Sequence, residues 1–156
     1  MKKRLFPFGL LPGHWGLSGL TRARAEKEYY YEGNELRKEI AKLEAHNDIE
    51  GKLAVLSIEM ENEEITKQEY DKQVATLKKD PWVSVVRIEM NKDSGNIQYV
   101  ELDWNAEFIK FLSGKGYVGR SDDEIVNKWF SALCRAVLLQ EANDQDYGLQ
   151  ETDDDL

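Results

Sequence analysis

The segment from Trp82 to Met90 reads WVSVVRIEM, and the segment from Ile97 to Trp104 reads IQYVELDW. Apolar and polar residues alternate in both segments, which is the two-residue period of a half-buried β-strand. The linking residues 91–96, NKDSGN, have the composition of a turn. These features predict an antiparallel β-hairpin, which needs further elements to cover it because an isolated hairpin is only marginally stable in water. The predicted apolar face of the first strand consists of Val86, Ile88 and Met90.

Two helices after the hairpin would supply this cover. Residues 106–113 carry several large apolar side chains, and Ser121 and Glu124 have the spacing of a capping box that opens a helix from Asp122 to about Glu141. We therefore predict a compact ββαα unit over residues 81–142. Residues 143–156 are acidic with little apolar surface, and we expect a disordered tail there. The predicted core stripe of the last helix consists of Ile125, Trp129, Leu133 and Val137.

Residues 1–20, MKKRLFPFGLLPGHWGLSGL, combine large apolar side chains with two prolines and four glycines. This density of Pro and Gly disfavours a helix, yet the segment is too apolar for a solvated tail. We predict an extended N-terminal arm that lies on a surface, either that of its own domain or that of a partner protein. The candidate partner-binding residues are Phe6, Phe8, Leu10, Leu11, Trp15, Tyr30 and Tyr31.

Residues 21–80 have the pattern of a three-helix region. A long helix is expected from Arg22 to about Ala45, with Gly33 inside its apolar stripe as a sign of close approach by another element. A helix from about Asp48 to Glu61 should follow, and Thr66 with Glu69 forms the capping box of a third helix that begins at Lys67. Together with the ββαα unit, this predicts an α+β, mostly helical fold.

The segment from Leu53 to Leu77, LAVLSIEMENEEITKQEYDKQVATL, resembles the short helical hairpin called the SHOCT domain. The resemblance lies in a leucine-spaced helix, a tight turn, Ile65-Thr66, and Glu69-Tyr70 leading into a second apolar helix. The glycine usual in the turn is replaced here by Asn62-Glu63-Glu64. In that family the hairpin is an appended interaction or oligomerisation element, so the resemblance implies binding.

Taken whole, the chain resembles small proteins encoded by tailed bacteriophages. Their opening arm, Leu-Pro-Gly-His-Trp-Gly-Leu, matches residues 11–17, and the helix that follows it matches residues 21–31. Their closing pattern of Glu-Leu-Asp-Trp-Asn and a Trp-Phe, Leu-Cys-Arg helix matches residues 101–105 and 129–135. The resemblance implies a phage origin, with the virion or the host cytoplasm as the location.

The net charge of −9 is unevenly distributed. Residues 1–25 contain five basic side chains and no acidic one, whereas the last fourteen residues contain six acidic side chains and no basic one. An acidic body repels nucleic-acid phosphates, so any contact with nucleic acid would have to use the basic arm. The single cysteine, Cys134, lies in an apolar helical run and is predicted to be buried. No segment is long and apolar enough to span a membrane.

The sequence predicts no catalytic, cofactor-binding or metal site. Residues 114–119, GKGYVG, fit the glycine pattern of nucleotide sites, but they follow a helix and precede an acidic helix start, which disfavours phosphate. His14 and His46 lack metal-ligand spacing. The glycines are better explained as a helix end and a tight connection.

The expected function is therefore that of a non-enzymatic phage protein that binds another protein. The leading interpretation is a virion structural or assembly component that docks on a neighbouring subunit through its arm. The alternative is a non-structural phage protein that binds a host or replication protein, with its acidic surface imitating nucleic acid. The sequence leaves open whether the chain also forms a homo-oligomer.

Overall fold

The computed structural model describes residues 2–93 and 97–150, the last ten of them by backbone alone. The chain divides into two compact units, Met1–Asp80 and Pro81–Leu156. The described residues form six α-helices and one two-stranded antiparallel sheet. The predicted mostly helical α+β fold is confirmed.

The described part of the first unit contains four α-helices. They are α1 (Gly19–Tyr30), α2 (Gly33–Glu44), α3 (Asp48–Glu61) and α4 (Lys67–Lys78).

The single long helix predicted from Arg22 to Ala45 is therefore wrong. Tyr31 and Glu32 have extended backbone, and Gly33 has φ +57°. Glycine adopts this left-handed conformation without steric cost, so the chain turns here although the apolar spacing continues through the break. No neighbouring atom lies within 4 Å of a Cβ built on Gly33. Gly33 thus serves the backbone turn and not a close approach by another element.

The predicted capping box at the start of α4 is confirmed. The Glu69 backbone N–H donates to Thr66 Oγ1 at 3.2 Å, and the Thr66 backbone N–H donates to Glu69 Oε2 at 2.9 Å. This backbone hydrogen bond lowers the pKa of Glu69 below its ordinary value. The turn before α4 contains Glu63 at φ 57°, the left-handed conformation that glycine adopts at lower steric cost.

Salt bridges connect the helices of the first unit. Lys27 on α1 lies 2.6 Å from Glu39 on α2, and Lys38 on α2 pairs with Glu59 on α3 at 3.1 Å and with Glu64 in the following turn. The hydrogen bond with Lys27 lowers the pKa of Glu39, and the same bond raises the pKa of Lys27. Both side chains of this pair are partly shielded from solvent, so the pair is screened less than a fully exposed one.

Replacing Glu39 with Gln should lower the free energy of unfolding by about 0.5–1 kcal/mol at pH 7. The folded-state pKa of Glu39 is lowered, so its contribution is complete above the unfolded-state value of about 4.3 and is lost as the pH falls through the folded-state value. Urea unfolding of both proteins at several pH values measures the difference. The matched control is Glu26→Gln, at an exposed α1 residue without a salt bridge among the described residues. A difference between wild type and Glu39→Gln that stays constant down to pH 2 would contradict this assignment.

The second unit begins with a β-hairpin made of β1 (Val83–Met90) and β2 (Ile97–Trp104). Val85 pairs with Leu102 and Arg87 pairs with Glu101, so Val86 is an extra residue in β1. This irregularity exchanges the two faces of the strand. The predicted apolar face of Val86, Ile88 and Met90 is wrong for that reason: Val83 and Val85 lie on the face of Leu102 before the irregularity, and Ile88 returns to that face after it.

The core of the second unit lies where the hairpin meets α5 (Ala106–Gly114) and α6 (Asp122–Gln150). The Trp129 ring meets Phe108 edge-on, with 5.0 Å between centroids. Partly buried side chains from both strands, including Val83, Leu102 and Trp104, pack against this cluster. The core of the unit thus uses the whole length of α5 and the first turns of α6. The buried residues of the core are Phe108, Leu112, Ile125 and Val126.

Asn105 joins the hairpin to α5. Its side chain is buried, and Oδ1 accepts hydrogen bonds from the backbone N–H groups of Trp82 and Phe108, each at 3.0 Å. The Asn105 N–H in turn donates to the Trp82 carbonyl oxygen at 3.1 Å. One residue therefore caps a helix and holds the residue that precedes β1.

The glycines of residues 114–119 have structural roles in the connection from α5 to α6. Gly114 is the last residue of α5, and Gly116 has φ +93°. A Cβ on Gly119 would lie 3.0 Å from side-chain atoms of Glu124 and Ile125, which is tighter than ordinary contact. The spacing is thus explained by a turn and a close approach.

The helix α6 is longer than the core that it covers. Leu133 and Val137, predicted as core residues, are 44% and 48% exposed, and Cys134 is exposed although the sequence indicated burial. The hairpin and α5 cover the helix only as far as Trp129 and Phe130, so the apolar stripe continues past its cover.

The predicted boundary of the acidic tail also differs. The helix continues to Gln150, whereas a disordered tail was expected from residue 143. Low apolar content limits core formation, but a helix can extend from an existing one without a core because elongation adds one hydrogen bond per residue. The rest of the predicted tail, residues 151–156, lies outside the described residues.

Replacing Asn105 with Ala should destabilise the protein by about 2–4 kcal/mol. The change removes a helix cap, which is worth about 1 kcal/mol. It also removes the oxygen that accepts the hydrogen bond of the Trp82 N–H, which costs about 1–3 kcal/mol more. Asn105→Asp is the matched control, because a carboxylate oxygen can accept both bonds. Thermal and urea unfolding measure the effect. Equal stability of wild type and Asn105→Ala would contradict this role.

Candidate protein-binding surface

The N-terminal arm, residues 2–20, lies against the C-terminal end of α1. The backbone N–H of Lys2 donates to the Tyr30 carbonyl oxygen at 2.6 Å, and Arg4 Nε donates to the Tyr29 carbonyl oxygen at 2.9 Å. These carbonyls belong to the last turn of the helix, where intrahelical donors are missing and cations are favoured. Lys2 also forms a 2.9 Å salt bridge with Glu32, which lowers the pKa of Glu32.

Aromatic residues anchor the middle of the arm. Phe8 is only 7% exposed, and its ring lies 5.2 Å from that of His14 and 5.8 Å from that of Tyr29, measured between centroids. The Phe8 N–H donates to the Tyr30 hydroxyl at 2.9 Å, and the Tyr29 hydroxyl donates to the Phe6 carbonyl oxygen at 2.9 Å. The arm is therefore fixed to its own unit by packing and by hydrogen bonds.

The arm is not extended throughout. Short 3₁₀ turns occur at Phe8–Leu10 and Pro12–His14, and His14 Nδ1 donates a hydrogen bond to the Leu11 carbonyl oxygen. His14 is buried. The two turns bring His14 back to the ring of Phe8. A fully extended arm would not make this contact.

The outer side of the arm exposes large apolar side chains. Leu5 is 89% exposed and Trp15 is 75% exposed. A group of apolar side chains of this size on an ordered segment is typical of interaction sites. The exposed members are Leu5, Phe6, Leu10, Trp15 and Leu20.

The seven predicted partner-binding residues fall into two groups. Phe6, Leu10 and Trp15 are exposed, and Leu11 is half-buried. The second group does not present an open apolar surface: it consists of the buried Phe8 and the half-buried Tyr30 and Tyr31. Tyr30 holds the Phe8 backbone, and the Tyr31 ring lies 5.5 Å from Lys27 Nζ in a cation–π contact.

Sequence reasoning missed Leu5 and Leu20 as exposed residues and His14 and Asn105 as structural ones. For Asn105 a signal was available, because asparagine between a strand pattern and a helix start is a typical N-cap. For His14 none was available, because its burial depends on the fold of the arm around Phe8.

The described residues contain no group of three or more His, Cys, Asp or Glu side chains arranged to hold a metal ion. Among the helices that the structure describes, none combines the length and the apolar character that crossing a membrane requires.

Comparison with known proteins gives no relative: no family model matches the chain, and no curated protein or solved structure matches it.

Replacing Tyr30 with Phe should lower stability by about 0.5–1.5 kcal/mol, because the Phe8 N–H loses the hydroxyl that accepts its hydrogen bond. Hydrogen exchange at residues 2–17 should become faster for the same reason. The matched control is Tyr31→Phe, whose hydroxyl makes no such bond to the arm. Unchanged exchange in Tyr30→Phe would contradict the anchoring role of this hydroxyl.

Proposed function

We propose that this chain is a non-enzymatic bacteriophage protein that binds another protein, and that it acts as a virion structural or assembly component. In this proposal the exposed side of the N-terminal arm docks on a neighbouring subunit. The neighbour is a phage structural protein or a second copy of the chain.

The observation that carries the proposal is the combination of exposure and anchoring in the arm. Phe6, Leu10 and Trp15 expose apolar surface, while Phe8 and Tyr30 hold the same segment in place. A partner would therefore meet apolar side chains whose backbone is already ordered. Because this ordering cost is met before binding, more of the apolar contact energy remains for affinity. Aromatic anchors such as Trp15 are common among the residues that dominate binding energy.

The phage part of the proposal rests on the sequence resemblance. It covers residues 11–17 and 21–31 in the first unit, and residues 101–105 and 129–135 in the second unit. The same resemblance supports an expected location in the virion or the host cytoplasm.

A second candidate is a non-structural phage protein that binds a host or replication protein. The observation in its favour is the charge of the second unit, in which residues 81–156 contain fifteen acidic and seven basic side chains. An excess of this size can attract proteins that ordinarily bind nucleic acid.

Mass spectrometry of purified phage particles separates the two candidates. The proposal expects the chain in particles at a fixed ratio to the other structural proteins. Its absence from particles, together with abundance in infected cells, would contradict the structural role and favour the second candidate.

Variants of the arm test the docking surface itself. The combined change Phe6→Ser, Leu10→Ser and Trp15→Ser removes exposed side chains and should reduce incorporation into particles by about tenfold or more. The matched control is Val118→Ser, at a residue of the second unit that is 70% exposed. Equal incorporation of the triple variant and the control would contradict docking through the arm.

A further inference from the structure

The second unit has a groove of about 310 Å³ between β2 and α6. One wall is β2 from Tyr99 to Trp104, and the other is the first turns of α6 from Asp123 to Phe130. No residue of β1 or α5 lines the groove. Neighbouring residues on β2 have side chains on opposite faces of the sheet, so a groove on one face would be lined only by every second residue. Here the consecutive residues 99–102 all line the groove. The groove therefore runs along the edge of β2 that faces away from β1.

This edge of β2 can accept another strand. The sheet has two strands, so within the described residues no strand pairs with the second edge of β2. Alternate residues of an antiparallel strand direct their backbone N–H and C=O groups toward that edge. A row of such groups beside a helix is the arrangement in which extended peptides add to a sheet. At about 3.3 Å per residue, the wall from Tyr99 to Trp104 accommodates five or six peptide residues.

The side chains of the groove indicate what kind of peptide would fit. Leu102 and Val126, which is 1% exposed, supply apolar surface on the side of α6, where Phe130 also lies. Tyr99 and Glu101 alternate with Leu102 and lie on the opposite face of β2, and among the described residues no Lys or Arg lines the groove. A peptide with alternating side chains would fit, with its apolar side chains toward α6 and its basic side chains on the face of Glu101.

We infer that the groove between β2 and α6 binds an extended segment of a partner protein that contains apolar and basic residues. The segment adds to β2 as a third strand, with main-chain hydrogen bonds to the strand edge, apolar side chains toward Leu102 and Val126, and basic side chains beside Glu101. This surface belongs to the second unit, and the inference does not depend on docking through the arm.

The first experiment measures binding of the labelled probe peptide Lys-Val-Arg-Val-Lys-Val to the full chain by fluorescence polarisation. Saturable binding with a Kd below about 1 mM is expected, weakening as salt increases. The acidic peptide Asp-Val-Glu-Val-Asp-Val should not bind. Equal binding of both peptides, or no binding of the basic one, would overturn the inference.

Two N-methylated forms of the probe test whether a strand is added. One carries methyl groups on the three valine nitrogens, and the other carries them on the three basic-residue nitrogens. A peptide strand directs these two sets of N–H groups to opposite edges, so only one set can face β2. One form should lose affinity by about tenfold or more, and the other should bind nearly as well as the unmodified probe. Equal affinities of the two forms would overturn strand addition.

Charge variants test the assignment of the basic side chains. Glu101→Gln should reduce affinity for the unmodified probe by about three- to tenfold. The control is Asp122→Asn, at an exposed residue of α6 that does not line the groove. A common melting temperature of the variants shows that the fold is kept. If Asp122→Asn weakens binding as much as Glu101→Gln, general charge attraction explains the binding and the inference is overturned.

The remaining alternative is that a second copy of the chain occupies the groove. Sedimentation over a range of protein concentrations, with and without the probe, makes this distinction. A monomer that binds the probe supports the inference. A dimer that the probe does not dissociate, with no probe bound, would identify β2 pairing between copies and overturn it.

Discussion

The buried amide of Asn105 accepts backbone hydrogen bonds from Trp82 and Phe108, which belong to different elements of the second unit. These two bonds hold the residue before β1 beside the end of β2, and they fix the residue at which α5 begins. Phe108 and Leu112 on α5 belong to one buried cluster with Val126 on α6, so the core depends on where α5 begins. A small unit with a two-stranded sheet has few other ways to fix the angle between sheet and helix, since little apolar area is available. The placement of one polar side chain thus determines how the apolar ones meet.

Features that depend on a few adjacent residues could be predicted from the sequence. The capping box at Thr66 and the bounds of β2 are of this kind, because the cap and the two-residue period are complete within the segment. The break at Gly33 could not be predicted, because the apolar spacing runs through it and either a helix or a turn fits. The irregularity at Val86 was hidden for a similar reason: in VSVVRIEM, Val85 and Val86 are both apolar and fit either face.

The candidate surface was predictable as a segment but not residue by residue. Phe6 and Phe8 are the same residue type two positions apart, and only Phe8 is buried. The difference arises because the hydroxyl of Tyr30 binds the Phe8 backbone and the Tyr29 ring packs on the Phe8 side chain. Contacts that span more than twenty residues decide which phenylalanine faces outward. Composition alone therefore identifies an apolar arm but not its exposed side.

The two units leave different kinds of groups available to partners. In the first unit the backbone of the arm is bound to α1, so a partner meets apolar side chains such as Trp15. In the second unit no strand among the described residues pairs with the outer edge of β2, which Glu101 flanks. Recognition by side chains depends on the shape of the partner, whereas recognition by a strand edge depends on an extended backbone and its register. If both proposed surfaces bind partners, the two would differ in what they select: a folded neighbour at the arm and an extended segment at β2.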